Sequence, residues 1–149
     1  GVIVKFWNVF GIEKDMEKAH VITDFIAKGF ETGVIDMMTD GTEEREFLYA
    51  EDCCEALETI MDCYDQFSYD DELHITTGIS TSILEIAQII QILFRNIGKE
   101  VEVVPASSKD EVQKDARNIP DAYIKKWWQP KTDVVDGITK VFEEMKKNY

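Results

Sequence analysis

Val2 to Trp7 is apolar except for Lys5 and rich in β-branched and aromatic residues. That pattern suits a strand covered on both faces, as in a parallel sheet, and so points to an α/β fold. The run ends at Asn8-Val9-Phe10-Gly11. Asn8 is thereby expected at the carboxyl end of a buried strand, where open α/β sheets place their ligands. From this segment alone a second reading stands beside it: an asparagine serving the turn hydrogen bonds of its own loop.

The rest of the chain alternates helical and strand patterns. Glu13 to Lys18 is charged and reads as loop. From Ala19, the apolar positions Ile22, Phe25, Ile26, Gly29 and Phe30 predict a helix that stops near Gly33, with His20 at its start as a surface or capping residue. Val34 to Thr39 reads as a strand, Asp40-Gly41 as a turn and Arg45 to Ala50 as the return strand, a hairpin that leads directly into a helix. Asp52, with Glu55 three residues on, is expected to cap that helix, whose inner face is Ala56, Leu57, Ile60, Met61 and Tyr64. Leu73 to Thr77 is a further strand. A second capping box at Ser82 and Glu85 opens a helix apolar on almost every side, ended by Gly98. Val101 to Val104 follows as a half-buried strand, then a charged loop from Ser107 to Asn118, a short helix from Pro120 towards Trp127-Trp128, and a last helix from Asp133.

The size and composition fit one domain over residues 1–149. A chain of 149 residues can bury roughly 70% of its unfolded surface, and 44% hydrophobic content is too rich for a disordered tail. The net charge of -14 repels phosphate backbones and anionic lipid, so neither nucleic acid nor membrane is an expected partner. Cys53, Cys54 and Cys63 make neither an even disulfide framework nor a Cys-x-x-Cys pair, and no leader or long apolar run is present; together these predict a cytoplasmic protein. The chain passes from Gly1 straight into an apolar strand without a Met, which reads as a cut inside a longer protein.

Arg45 is a single guanidinium among Glu43, Glu44 and Glu46. Either it pairs with those glutamates at the surface, contributing under ~1 kcal/mol, or its planar fork receives a diphosphate bidentately. Catalytic constellations are missing. The glycines never reach Gly-x-Gly-x-x-Gly spacing, no tyrosine has a lysine four residues after it, and His and Cys lack metal-ligand spacing, so no metal is expected. The abundant carboxylates read as caps and solvated faces.

The order of elements resembles, over essentially the whole chain, the C-terminal half of the extended short-chain dehydrogenase/reductase family, the NAD-dependent nucleotide-sugar epimerases and dehydratases. Lys5-Phe6-Trp7-Asn8-Val9-Phe10-Gly11-Ile12 is similar to that family's Arg-x-x-Asn-Val-Tyr/Phe-Gly-Pro. Asp40-Gly41-Thr42 and Arg45-Glu46-Phe47-Leu48-Tyr49-Ala50-Glu51-Asp52 match its most specific mark, Gly-x-Gly/Thr then Arg-Asp/Glu-Phe-Ile/Leu-Tyr/His-Val-Asp/Glu-Asp. His74 to Gly78 with Ser82 to Ile86, and Trp128-Gln129-Pro130-Lys131-Thr132, look like two weaker marks. Lys5 stands where Arg is usual, Ile12 for Pro and His74 for Asn. The loop Ser108-Lys109-Asp110-Glu111-Val112 occupies the place of Arg-x-Gly-Asp/Glu-Val, with Ser108 for Arg, Asp110 for Gly and Lys109 one position off.

The resemblance implies the terminal strands of a Rossmann-like parallel sheet plus the small mixed α/β lobe that binds substrate. It implies that Asn8 bonds a nucleotide-diphosphate sugar near its diphosphate, that Arg45 pairs with the diphosphate, that Glu111 touches the ribose hydroxyls and that Lys109 reaches phosphate. It implies NAD in the intact parent, an isomerase or lyase, with none bound by this chain alone, which lacks the N-terminal NAD-binding part and has no catalytic residue of its own. The missing N-terminal half is then the expected protein partner, and the sheet edge and helix faces left without it could drive homo-oligomers. The alternative is a non-catalytic sugar-nucleotide-binding or interaction module.

Overall fold

The computed structural model describes residues 2–13, 20–66, 72–108 and 124–149. In chain order the elements are β1 (Ile3–Phe6), β2 (Val9–Phe10), α1 (Val21–Glu31), β3 (Val34–Asp36), β4 (Glu44–Glu46), β5 (Leu48–Tyr49), α2 (Ala50–Asp62), β6 (Glu72–Ile75), β7 (Ser80–Ser82), α3 (Ile83–Asn96), β8 (Glu102–Val104) and α4 (Val134–Lys146). Among the described residues the strands form four pairs. Three are parallel: β1 with β6, β2 with β5, and β3 with β8. The fourth, β4 with β7, is antiparallel, with Arg45 opposite Thr81. The fold is mixed α/β with parallel pairs, as the alternation of strand and helix patterns indicated.

The expected hairpin does not form. β3 pairs with β8 instead of with the strand that follows it, and the hydrogen bonds from the Met37 amide to Val104 and from the Ala106 amide to Thr39 carry that alignment past the strand ends. The Asp40-Gly41 turn signal serves another purpose. Asp40 Oδ1 accepts from the Thr42 amide and hydroxyl, and Gly41, at φ 78°, places its carbonyl to accept from the Leu84 amide at 3.0 Å. A Cβ on Gly41 would lie 2.9 Å from the Leu84 nitrogen, so the turn requires glycine both for its left-handed backbone and for its approach to α3.

Among the described residues two hydrophobic clusters form the core. The larger packs α1, α3 and α4 around Ile22, Ile26, Ile90, Phe94, Val141 and Phe142, all at most 1% exposed. Phe30, Phe94 and Phe142 meet with ring centroids 4.7 to 5.5 Å apart, within the range of favourable aromatic pairing. Gly29 makes this possible, since a Cβ there would lie 2.1 Å from the Phe94 ring. The smaller cluster joins β1, β5, β6 and α2 through Leu48, Ala56, Ile60, Leu73, Ile75, Ile124 and Trp128.

Three further expectations are corrected by the structure. β1 alternates exposed and half-buried positions, with Ile3 61% exposed, so it is not covered on both faces. α2 buries Ala56 and Ile60 against the smaller cluster but leaves Leu57 and Met61 exposed, as is Tyr64 just beyond its end. Asp52 is not a cap: β5 runs straight into α2, Tyr49 takes the N-cap position without a side-chain bond, and Asp52 falls inside the first turn. By contrast Ser82 Oγ accepts from the Glu85 amide at 3.1 Å, and Asp133 Oδ1 from the Asp136 amide at 2.8 Å, so both act as N-caps. α3 is buried along Ile83, Ile86, Ala87, Ile90 and Phe94, with Ile92 left 51% exposed.

Candidate functional site

At the carboxyl end of β1 the backbone of Asn8 turns into the left-handed region, at φ 45°. Asparagine tolerates this conformation better than most residues do, and an exposed non-glycine residue held there is a local strain. The Asn8 carbonyl accepts from the Leu48 amide at 3.2 Å, tying the turn to the start of β5. Asn8 therefore projects from a fixed corner between β1 and β2, as its position at a strand end suggested.

Arg45 is the middle residue of β4. Because successive strand side chains point to opposite faces, Arg45 and its neighbour Glu46 diverge. Glu46 goes inward, 7% exposed, where burial raises its carboxyl pKa above the ordinary value and a hydrogen bond with Thr76 opposes the rise. One Glu46 oxygen, Oε2, is buried without a hydrogen-bond partner. Arg45, half-buried, faces a cavity and donates from Nη1 to the Glu44 carbonyl at 3.1 Å.

That cavity, of about 400 Å³, brings Asn8 and Arg45 together. Its floor is the larger hydrophobic cluster: Phe10, Ile22, Phe25, Met37, Phe47 and Ile83 belong to both. Asp24 and Lys28 of α1, with His20 at the N-cap of that helix, form a further polar wall. Lys28 Nζ lies 3.0 Å from Asp24 Oδ2 and 3.6 Å from Asp36 Oδ1, and donates to the Asp36 carbonyl at 3.1 Å. Burial would lower the Lys28 pKa, but the Asp24 hydrogen bond and the charges of Asp24 and Asp36 prevail and raise it. At the start of α1, Glu13 accepts from the His20 amide, and the His20 ring nitrogen Nδ1 lies 2.9 Å from Glu13 Oε1. Burial acts to raise the Glu13 carboxyl, yet the hydrogen bonds and charge of His20 outweigh it and leave the pKa lowered. Glu43 also lines the cavity; the Thr39 hydroxyl donates to its Oε1, while Oε2 is buried without a partner.

Lys109 and Glu111 lie outside the described residues. Ser108, the last described residue before them, sits beside this cavity's Met38: its hydroxyl donates to the Met38 carbonyl at 3.0 Å, and its carbonyl accepts from the Asp40 amide at 2.7 Å. Lys28 and Asp24 have no role in the sequence reading, and Glu43 enters it as a possible salt-bridge partner of Arg45. The four-residue spacing of Asp24 and Lys28 signals a helix-surface pair, but nothing in it says that a cavity lies alongside.

Asp52, at the other end of the same motif, has a structural task. Its carboxylate is 3% exposed and accepts from the Lys131 amide at 3.2 Å and the Thr132 amide at 2.9 Å, fixing the loop that enters α4. Lys131 in turn reaches Glu55 on α2 with Nζ 2.6 Å from Oε1.

Among the described residues no three His, Cys, Asp or Glu side chains gather as a metal site, and no helix is long and apolar enough to cross a membrane. Cβ atoms on Gly11, Gly29 and Gly137 would meet Ala50, Phe94 and Phe10 at 2.9 Å or less, so these three glycines serve packing.

A family model described as the NAD dependent epimerase/dehydratase family matches residues 1–76. A GDP-L-fucose synthase of Sinorhizobium fredii is 29% identical over 139 residues, covering 90% of this chain and 42% of that protein. A UDP-glucuronic acid decarboxylase of Arabidopsis thaliana is 22% identical, covering 97% of this chain and 40% of its own length. The chain thus spans less than half the length of these curated relatives. Among solved structures, an epimerase of Methanothermobacter thermautotrophicus superposes with a TM-score of 0.82 at 19% identity, over 99% of this chain and 43% of the other. A UDP-glucose 4-epimerase of Thermotoga maritima, solved with UDP-glucose, gives 0.77 at 22%, over 99% and 46%. These two likenesses establish a shared fold.

Proposed function

The chain belongs to the NAD-dependent epimerase/dehydratase family, and we propose that it forms the part that holds a nucleotide-diphosphate sugar. Arg45 takes the diphosphate, and Asn8 hydrogen-bonds beside it. The observation that carries this reading is the convergence of the two on one cavity of about 400 Å³, within the size range of small-molecule sites.

The electrostatics agree. A diphosphate brings two or more negative charges to a protein of net charge -14, so a directed guanidinium is needed to offset the surrounding field. The UDP-glucose carried by the Thermotoga epimerase is a ligand of this class. Residues 1–149 hold neither a Gly-rich dinucleotide motif nor a Tyr-x-x-x-Lys pair. They do not fit NAD, and no hydride or proton transfer is assigned to them. Epimerisation, dehydration or decarboxylation belongs to the longer protein of which this is the binding portion. Lys109 and Glu111 are proposed to add a phosphate contact and a ribose contact from the adjoining loop.

Thermal melting with and without UDP- and GDP-sugars tests the reading. A ligand at a hundred times its dissociation constant is expected to stabilise the chain by about 2.7 kcal/mol. That stabilisation should shrink in Arg45→Ala. Absence of any shift with every sugar nucleotide would contradict it.

A further inference from the structure

The two walls of the cavity differ in how their charges are arranged. One carries Arg45 together with Glu43, whereas α1 presents the ion pair of Asp24 and Lys28, with Asp36 Oδ1 3.6 Å from Lys28 Nζ. Two carboxylates around one ammonium repel phosphate, so that wall suits an uncharged part of the ligand. Its surroundings suit a flat ring. Phe25 and Met37 supply an apolar floor, and Met38 lines the same cavity with 89% of its surface exposed, a polarizable side chain for a ring to cover.

From this geometry we infer that the α1 wall reads a guanine base, so that the nucleotide is a GDP-sugar; the inference rests on the sugar-nucleotide reading above. A carboxylate offers two acceptor oxygens side by side, and an ammonium offers only donors. Guanine is the complement: two adjacent N–H donors, at N1 and N2, for the Asp24 oxygens, and the O6 acceptor next to them for Lys28. Uracil and thymine present one N–H between two carbonyls, which sets a carbonyl oxygen against the second Asp24 oxygen. Adenine presents one amino group and no second donor. Lys28 Nζ has three donors and three contacts, with Asp24 Oδ2 at 3.0 Å, the Asp36 carbonyl at 3.1 Å and Asp36 Oδ1 at 3.6 Å; O6 would replace the longest of these, while the other two keep the ammonium in place.

The test is calorimetric titration of the chain with GDP, UDP and ADP at one salt concentration, repeated for Asp24→Asn. GDP is expected to bind at least about ten-fold tighter than UDP, the scale of one bidentate base contact. Asp24→Asn should weaken GDP by about ten-fold or more and leave UDP within about three-fold, bringing the ratio near one. Should that variant melt early, Lys28→Met reads the same ratio. UDP binding as tightly as GDP, or a variant that weakens both equally, overturns the guanine assignment; if that binding still depends on Arg45, the sugar-nucleotide reading stands. No binding by any nucleotide overturns both.

Discussion

The two hydrophobic clusters close to different degrees. Around Phe94, Phe142, Ile22 and Ile26 three helices interlock and leave these side chains at most 1% exposed. Around Leu73 and Ile75 the interior is just as dry, but the rim is open: Ile3 on β1 is 61% exposed and Met61 on α2 is 75% exposed. The cavity stands on the first cluster, sharing six residues with it. A binding site needs fixed walls, and a close-packed interior supplies them. The β1 and β6 pair is a different case, among the described residues a two-stranded parallel ribbon with one face partly bare, although parallel strands ordinarily lie in sheets covered on both faces.

Four substitutions put this contrast to the test. Phe94→Ala should cost about 3–5 kcal/mol, the range for an aromatic lost from a close-packed core, while Met61→Ser should stay within ~0.5 kcal/mol. Urea unfolding measures both, and equal costs would erase the distinction between the regions. Next come the two ends of one motif. Asp52→Asn should destabilise the chain by about 1–3 kcal/mol, because the Asn amide can offer only one acceptor to the Lys131 and Thr132 amides, and nucleotide affinity should be unchanged. A loss of affinity with intact stability would mean that Asp52 serves the site and not the loop.

The smallest effect concerns Glu46. Burial raises its pKa, so the folded state takes up a proton more readily than the unfolded one, and stability falls as pH rises from the ordinary carboxylate range of about 4.3 through the raised value. Glu46→Gln is expected to be more stable than the parent by about 1 kcal/mol at pH 7, or roughly 2–4 °C in melting temperature. The difference should vanish below about pH 4, where both forms are neutral. A gap that persists at low pH would assign the effect to packing instead of charge.

Local structure was largely legible in the sequence, whereas strand partners were not. Helical spacing located α1, α3 and α4, and the Ser82 and Asp133 caps form as their side chains suggest. β3 and β8 lie far apart in the chain, and no local pattern signals their parallel pairing, while Asp40-Gly41 mimics a hairpin turn because an Asx turn and a close approach to α3 need the same residues. Asp52 has the residue type of a cap, but only the three-dimensional path of the Lys131 loop shows which amides it meets. Of the site, Asn8 and Arg45 stood out through their strand-end and motif positions. Lys28 and Asp24 did not, since a helix-surface ion pair looks the same in sequence whether solvent or a cavity lies beside it.

The central claim, that Arg45 and Asn8 hold a diphosphate in one cavity, is tested most directly by calorimetric titration of the chain and of Arg45→Ala with a nucleotide-diphosphate sugar and with the matching nucleoside monophosphate. The diphosphate ligand is expected to bind more tightly to the parent, and Arg45→Ala should lose at least about ten-fold for that ligand, the scale of charge-assisted hydrogen bonds. The monophosphate should lose less. Equal affinity of parent and variant for the diphosphate ligand would contradict the account.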